Sequence, residues 1–139
     1  MRPDQPTATT QPADADRPRM LLVEPHEQTR MLLGQLLVDE GCEVLASVPN
    51  YAQAIVGAKT MRPTVIVTEV YGGTVLSPAQ YIAALRRYSP APIIVHTTIV
   101  PGAVEVAAWG LWGTVVKGGA PARLLSMIRS AHHAARVAR

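Results

Sequence analysis

Apolar residues fall along this chain in two alternating textures, short unbroken runs and longer stretches with helical spacing. Arg19–Val23 is an apolar run that Glu24-Pro25 ends. From His26 to Gly41 the residues Met31, Leu32, Leu33, Leu36 and Leu37 return at helical spacing, and Gly41 stands where helices commonly turn left-handed and stop. Cys42–Val48 reads as a second strand. Asn50 is a good N-cap for a helix whose apolar face is Ala54, Ile55 and Ala58. Thr64–Val70 is a Val/Ile-rich strand, and Tyr71-Gly72-Gly73-Thr74 a loop. In Ser77-Pro78-Ala79-Gln80, Ser77 caps, Pro78 suits the first helical position and Gln80 completes a capping box, so a helix runs from here to about Tyr88. Pro92–Thr98 is a fourth strand, Gly102–Trp109 a short helix and Gly113–Lys117 a fifth strand. From Pro121 to the C-terminus a last helix turns Leu124, Leu125, Ile128 and Ala131 inward.

Five strands alternating with five helices, with strands apolar on both faces, predict an α/β fold. Its sheet is parallel, five-stranded and doubly wound, with helices on both faces. Open sheets of this kind bind ligands at the carboxyl ends of their strands. Glu24, Glu69, Thr97, Thr98 and Lys117 each end an apolar strand, and each is polar or charged. These are the candidate functional residues.

Composition narrows the choice. At 139 residues, 48% apolar and 17% charged, the chain suits a single packed domain. One cysteine, Cys42, excludes an intramolecular disulfide framework and a multi-cysteine zinc site, and it reads as a small buried hydrophobe. Residues 1–18 hold four prolines and no Val, Leu or Ile, which predicts a disordered tail before a domain spanning 19–133. The longest uncharged stretch, Tyr88–Val104, contains Pro90, Pro92 and Pro101 and is not a spanning helix. No apolar signal core precedes the domain, and a cytoplasmic protein is expected. No Gly-x-Gly-x-x-Gly or P-loop occurs among the ten glycines, which disfavours a dinucleotide-dependent dehydrogenase or a nucleotidase.

The strand ends resemble the receiver domain of bacterial two-component response regulators over roughly Arg19 to His133. Leu21-Leu22-Val23-Glu24-Pro25-His26-Glu27 looks like the first strand with its acidic pair. Arg62 to Val70 looks like the strand ending in the phospho-accepting Asp, and Pro92-Ile93-Ile94-Val95-His96-Thr97 like the strand with the switch Thr or Ser. Thr114-Val115-Val116-Lys117-Gly118 looks like the fifth strand with its Lys. The resemblance implies a flavodoxin-like fold and phosphotransfer to Asp assisted by Mg²⁺.

The chain departs from that pattern where the chemistry lies. Glu69 stands at the acceptor position, Pro25 replaces the second acid, and Thr114 holds the aromatic switch position. Mg²⁺ requires near-octahedral oxygens at about 2.0–2.1 Å. Losing one carboxylate and lengthening another defeats that geometry, so weak binding at Glu24 and Glu69 is the most that is expected, and no cofactor or catalysis. Glu69, Lys117, Thr97 and Glu24 form a degenerate phospho-site in which Glu69 acts as a built-in mimic of the phosphorylated state. The alternatives are an unconventional receiver taking phosphate from a histidine kinase, and a sensor using the pocket for a small molecule.

With no output module on the chain, a regulatory protein partner is implied. Receivers commonly dimerise on the face of their fourth helix, fifth strand and fifth helix, where Trp109, Trp112 and Arg123 are interface candidates, and Trp112 the better of the two Trp. The last helix carries Arg123, Arg129, Arg136 and Arg139, its basic end being residues 134–139, and no acid follows Glu105. Without a helix-turn-helix unit or interleaved aromatics, nucleic-acid binding is not expected. His132 and His133 point about 100° apart on a helix and cannot share a metal. His96 is isolated.

Overall fold

A computed structural model describes residues 16–72 and 75–138. The five strands are β1 (Arg19–Val23), β2 (Glu43–Val48), β3 (Val65–Thr68), β4 (Ile93–Thr97) and β5 (Gly113–Val116). The five helices are α1 (Glu27–Asp39), α2 (Tyr51–Thr60), α3 (Pro78–Tyr88), α4 (Ala103–Trp109) and α5 (Pro121–Val137). The strands form one parallel sheet in the order β2-β1-β3-β4-β5. The doubly wound α/β prediction therefore holds, and every predicted element is present; β1 matches its apolar run, and the other four strands are one to three residues shorter than theirs.

Alternation along the strands divides the core in two. Met20, Leu22, Val65, Val67, Ile94 and Val115 pack under α1 and α5. Leu21, Val23, Ile66, Ile93 and Val95 pack under α2 and α3. Cys42 is buried in the first of these cores, and burial pushes its thiol pKa up.

The helix ends follow from their cap residues. Asn50 and Ser77 each accept the backbone N–H three residues on, and Gln80 completes its box by accepting from the Ser77 N–H at 2.9 Å. Gly41 adopts φ +91° just after α1, a conformation that costs residues with a Cβ about 1–2 kcal/mol.

One face prediction is corrected. Met31 and Leu32 are exposed, whereas Leu33 and Leu37 are buried. A helix lying on a sheet buries a single stripe, and five apolar residues within seven positions exceed its width.

The chain's entry to the sheet is fastened more firmly than a boundary at residue 19 suggests. Residues 1–15 of the predicted tail lie outside the described residues, but Asp16 and Pro18 are tied to the domain by polar contacts. The Pro18 carbonyl accepts from the Glu43 N–H at 2.8 Å. Asp16 pairs with Arg136. Buried His132 lies with Nε2 2.9 Å from the Asp16 carbonyl and Nδ1 2.9 Å from the Thr64 hydroxyl. A carbonyl only accepts, so Nε2 carries the proton of this contact. His132 is thus a structural clasp between α5 and the chain entering β1, a role its sequence position did not reveal.

Among the described residues no helix is long and apolar enough to cross a membrane.

Candidate functional site

The sheet brings β1, β3 and β5 to one edge, and the residues just beyond them converge. Val23 and Thr68 are register partners, so Glu24 and Glu69, the next residues, leave the sheet side by side. The Glu69 N–H donates to the Val23 carbonyl at 3.0 Å. Lys117 follows β5, and its N–H donates to the Thr97 carbonyl at 2.9 Å. Thr68 supports the end of β3 from the opposite face. It donates to the Glu69 carbonyl at 2.7 Å, so at 2.8 Å it accepts from the buried Tyr81 hydroxyl. Tyr81 in turn stacks on Tyr51, with ring centroids 3.7 Å apart. Its hydroxyl pKa is raised, chiefly by burial.

Lys117 is the hub of the site. Its ammonium lies 2.8 Å from Glu24 Oε1 and 2.8 Å from Glu69 Oε1. The remaining carboxylate oxygens face backbone donors. Glu69 Oε2 accepts from the N–H groups of Val70 and Tyr71 at 2.8 and 3.2 Å. Glu24 Oε2 accepts from the His26 N–H at 3.0 Å. Both acids are buried. Two carboxylates and one ammonium leave a net formal charge of one negative unit, spread over backbone dipoles.

These contacts set the ionisation. Burial alone raises the Glu69 pKa, but bonds from Lys117, Thr97 and the Val70 and Tyr71 N–H groups outweigh it, and the net shift is downward. Burial alone lowers the Lys117 pKa, and Glu24 and Glu69 more than reverse it. Glu69 and Lys117 are therefore both charged across the neutral range.

Thr97 is wholly buried beside Glu69. Its hydroxyl lies close enough to Glu69 to help lower that carboxyl's pKa, but it is not aligned for a full hydrogen bond. Thr98 is exposed and takes no part in the cluster. Thr114 is half-buried on β5 opposite Val95.

His96 is the residue the sequence reading passed over. It occupies β4 one residue before Thr97, with a buried Nδ1 that meets no hydrogen-bond partner. Burial, then the charge of Lys117, lowers its pKa, while Glu24 and Glu69 pull it upward. Electrostatically His96 belongs to the site and is not isolated. A lone imidazole within an apolar strand was the available signal.

The residues present do not fit a Mg²⁺ ion. Only two carboxylates converge, and the four oxygens they offer already face an ammonium or a backbone N–H. Pro25, next to Glu24, has no side-chain oxygen to offer, and its ring packs over Gly72 so closely that a Cβ there would come within 2.6 Å of it. Among the described residues no group of three or more His, Cys, Asp or Glu is arranged to hold a metal. The Lys117 ammonium serves as the site's own cation.

The interface candidates separate. Trp109 is half-buried against the α2 and α3 core, so its ring is committed to packing. Trp112 is 43% exposed, at the amino end of β5. Arg123 is exposed near the start of α5.

No protein-family model matches the chain, and neither does any curated protein. Solved structures do. A Vibrio cholerae chemotaxis protein, CheY4, is 25% identical with TM-score 0.72, over 83% of this chain and 98% of that one. The signal receiver domain of a modulated diguanylate cyclase from Desulfovibrio desulfuricans G20 is 23% identical with TM-score 0.77, over 88% and 99% of the two chains. A CheY-like response regulator receiver domain protein from Methanospirillum hungatei JF-1 is 15% identical with TM-score 0.79, over 88% and 99%. The chain has the flavodoxin-like fold of CheY-like receiver domains.

Proposed function

We propose that the chain is an atypical receiver in two-component signalling that acts through protein contacts without phosphorylation as its switch. The carrying observation is the Lys117 ammonium held 2.8 Å from Glu69 and 2.8 Å from Glu24. Glu69 is one methylene longer than an acceptor Asp, and its carboxylate meets the donors that an attached phosphoryl group would need. Attack on phosphorus requires a free oxygen in line with the leaving group, where a misplacement of about 1 Å can cost 10²-fold. Here one oxygen is held by an ammonium and the other by two amides.

The partner surface in this reading is the face of α4, β5 and α5. Apart from the half-buried Val106 and Trp109, helix α4 is exposed, and β5 is an edge strand. Ile99, Val100, Val104 and Val116 expose apolar side chains on these elements or just before them. Large exposed apolar groups gathered in one region mark interaction surfaces. A second copy of the chain, paired face to face, covers them, with Trp112 and Arg123 at the margin.

Incubation with acetyl phosphate and Mg²⁺, followed by mass spectrometry, tests the central statement. No phosphoryl adduct is expected, and beryllofluoride leaves the oligomeric state unchanged. An adduct on Glu69 overturns the reading in favour of an unconventional receiver. Glu69→Gln is expected to weaken dimerisation or partner binding in light scattering.

A further inference from the structure

At the opposite, amino end of the sheet a groove of about 630 Å³ opens among Arg19, Lys59, Met61, Arg62, Pro63 and Tyr88. That volume lies within the roughly 300–1,000 Å³ typical of small-molecule sites. Among the described residues no carboxylate lines it. Lys59 sits over the Tyr88 ring at 5.0 Å and Arg87 at 5.9 Å, both within cation–π reach. Arg19 has a long contact with Glu43 at 4.0 Å. Among the described residues no ion-pair partner meets Lys59, Arg62 or Arg87.

We infer that this groove binds a small phosphate-bearing anion of two or more negative charges. The ends of α2 and α3 close the groove, and each helix C-terminus carries about half a negative charge. Three cations line the groove and a fourth, Arg87, flanks it across the Tyr88 ring; the two helix ends and Glu43 offset about two of these four charges, leaving a surplus near two. A phosphate monoester or a diphosphate supplies that charge, and Arg19 and Arg62 offer forks suited to its oxygens.

The walls are built rather than loose. The Arg19 N–H donates to the Thr64 hydroxyl at 2.9 Å, and the Thr64 N–H donates to the Arg19 carbonyl at 2.7 Å, which fixes the Arg62-Pro63-Thr64 segment against β1. Buried Ser89 closes the other side, accepting from the Ala91 N–H at 3.2 Å. Tyr88 is a positioning residue that holds Lys59 and Arg87 over one ring.

Titration of the full chain with inorganic pyrophosphate at low salt, read by backbone-amide NMR, tests the assignment. Saturable shifts are expected at residues 59–62 and 87–89, with a Kd of about 1 mM or tighter. Lys59→Gln with Arg62→Gln should weaken binding about tenfold or more, while the charge-matched pair Arg123→Gln with Arg129→Gln changes it less than about twofold. Tyr88→Ala weakens binding and Tyr88→Phe restores it. Equal losses in both double variants, or shifts that do not saturate, overturn the site. A single-stranded oligonucleotide binding the same residues about tenfold tighter than pyrophosphate overturns the small-anion assignment in favour of a nucleic-acid face.

Discussion

The two ends of the sheet handle charge in opposite ways. At the carboxyl end two buried acids share one lysine, and each carboxylate oxygen lies against its ammonium or a backbone N–H. At the amino end several exposed cations gather around Tyr88 and a groove without a carboxylate. The first end is closed on itself, and its chemistry is internal pairing. The second is unbalanced, and its charge is directed outward. Buried charges must be paired because desolvation is costly, whereas exposed ones are left unpaired at little cost to stability.

Removing Lys117 breaks the comparison most severely. Lys117→Met leaves Glu24 and Glu69 buried without their cation, and such a break costs about 3–5 kcal/mol. Urea denaturation should show a lower midpoint with the slope unchanged. Glu69→Gln keeps an acceptor for the amides and leaves Glu24 on Lys117, so a smaller loss, about 1–3 kcal/mol, is expected in the same assay.

The third effect is a pH profile. The Glu69 pKa is depressed, so its contribution is complete above the ordinary value of 4.5 and is lost as pH falls through the lower folded value. The Lys117 pKa is raised, so its contribution is complete below 10.5 and is lost as pH rises through the higher folded value. Thermal unfolding across pH should give a plateau between those limits, and the acid limb should shrink in Glu69→Gln. At the amino end, Arg62→Gln should change stability by no more than about 0.5 kcal/mol, because Arg62 is exposed and pairs with no carboxylate among the described residues. A large loss there would show that the two ends are not different in kind.

How much of this was legible depended on range along the chain. Helix starts at Asn50 and Ser77 were readable because a cap contacts the amide three residues away. Strands were readable because a sheet covered on both faces demands continuous apolar runs, and the strand ends followed from them. Glu24, Glu69, Thr97 and Lys117 do meet, as their places at strand ends implied. Contacts between distant positions were not readable. Trp109 turned to the core, Met31 and Leu32 to solvent, and His132 joined Thr64 and Asp16. His96 entered the site's field only once β4 lay between β3 and β5.

The sequence by itself determined the alternation of strand and helix and the polar and charged residues at the strand ends, Glu24, Glu69, Thr97 and Lys117. These are local or periodic properties, set by side-chain chemistry and spacing. Only the tertiary structure decided that one ammonium bridges both acids, and that Arg19, Lys59, Arg62 and Tyr88 share one groove. Ion pairs and grooves depend on separations of a few ångströms between residues far apart in the chain, and those separations exist only after the sheet has closed.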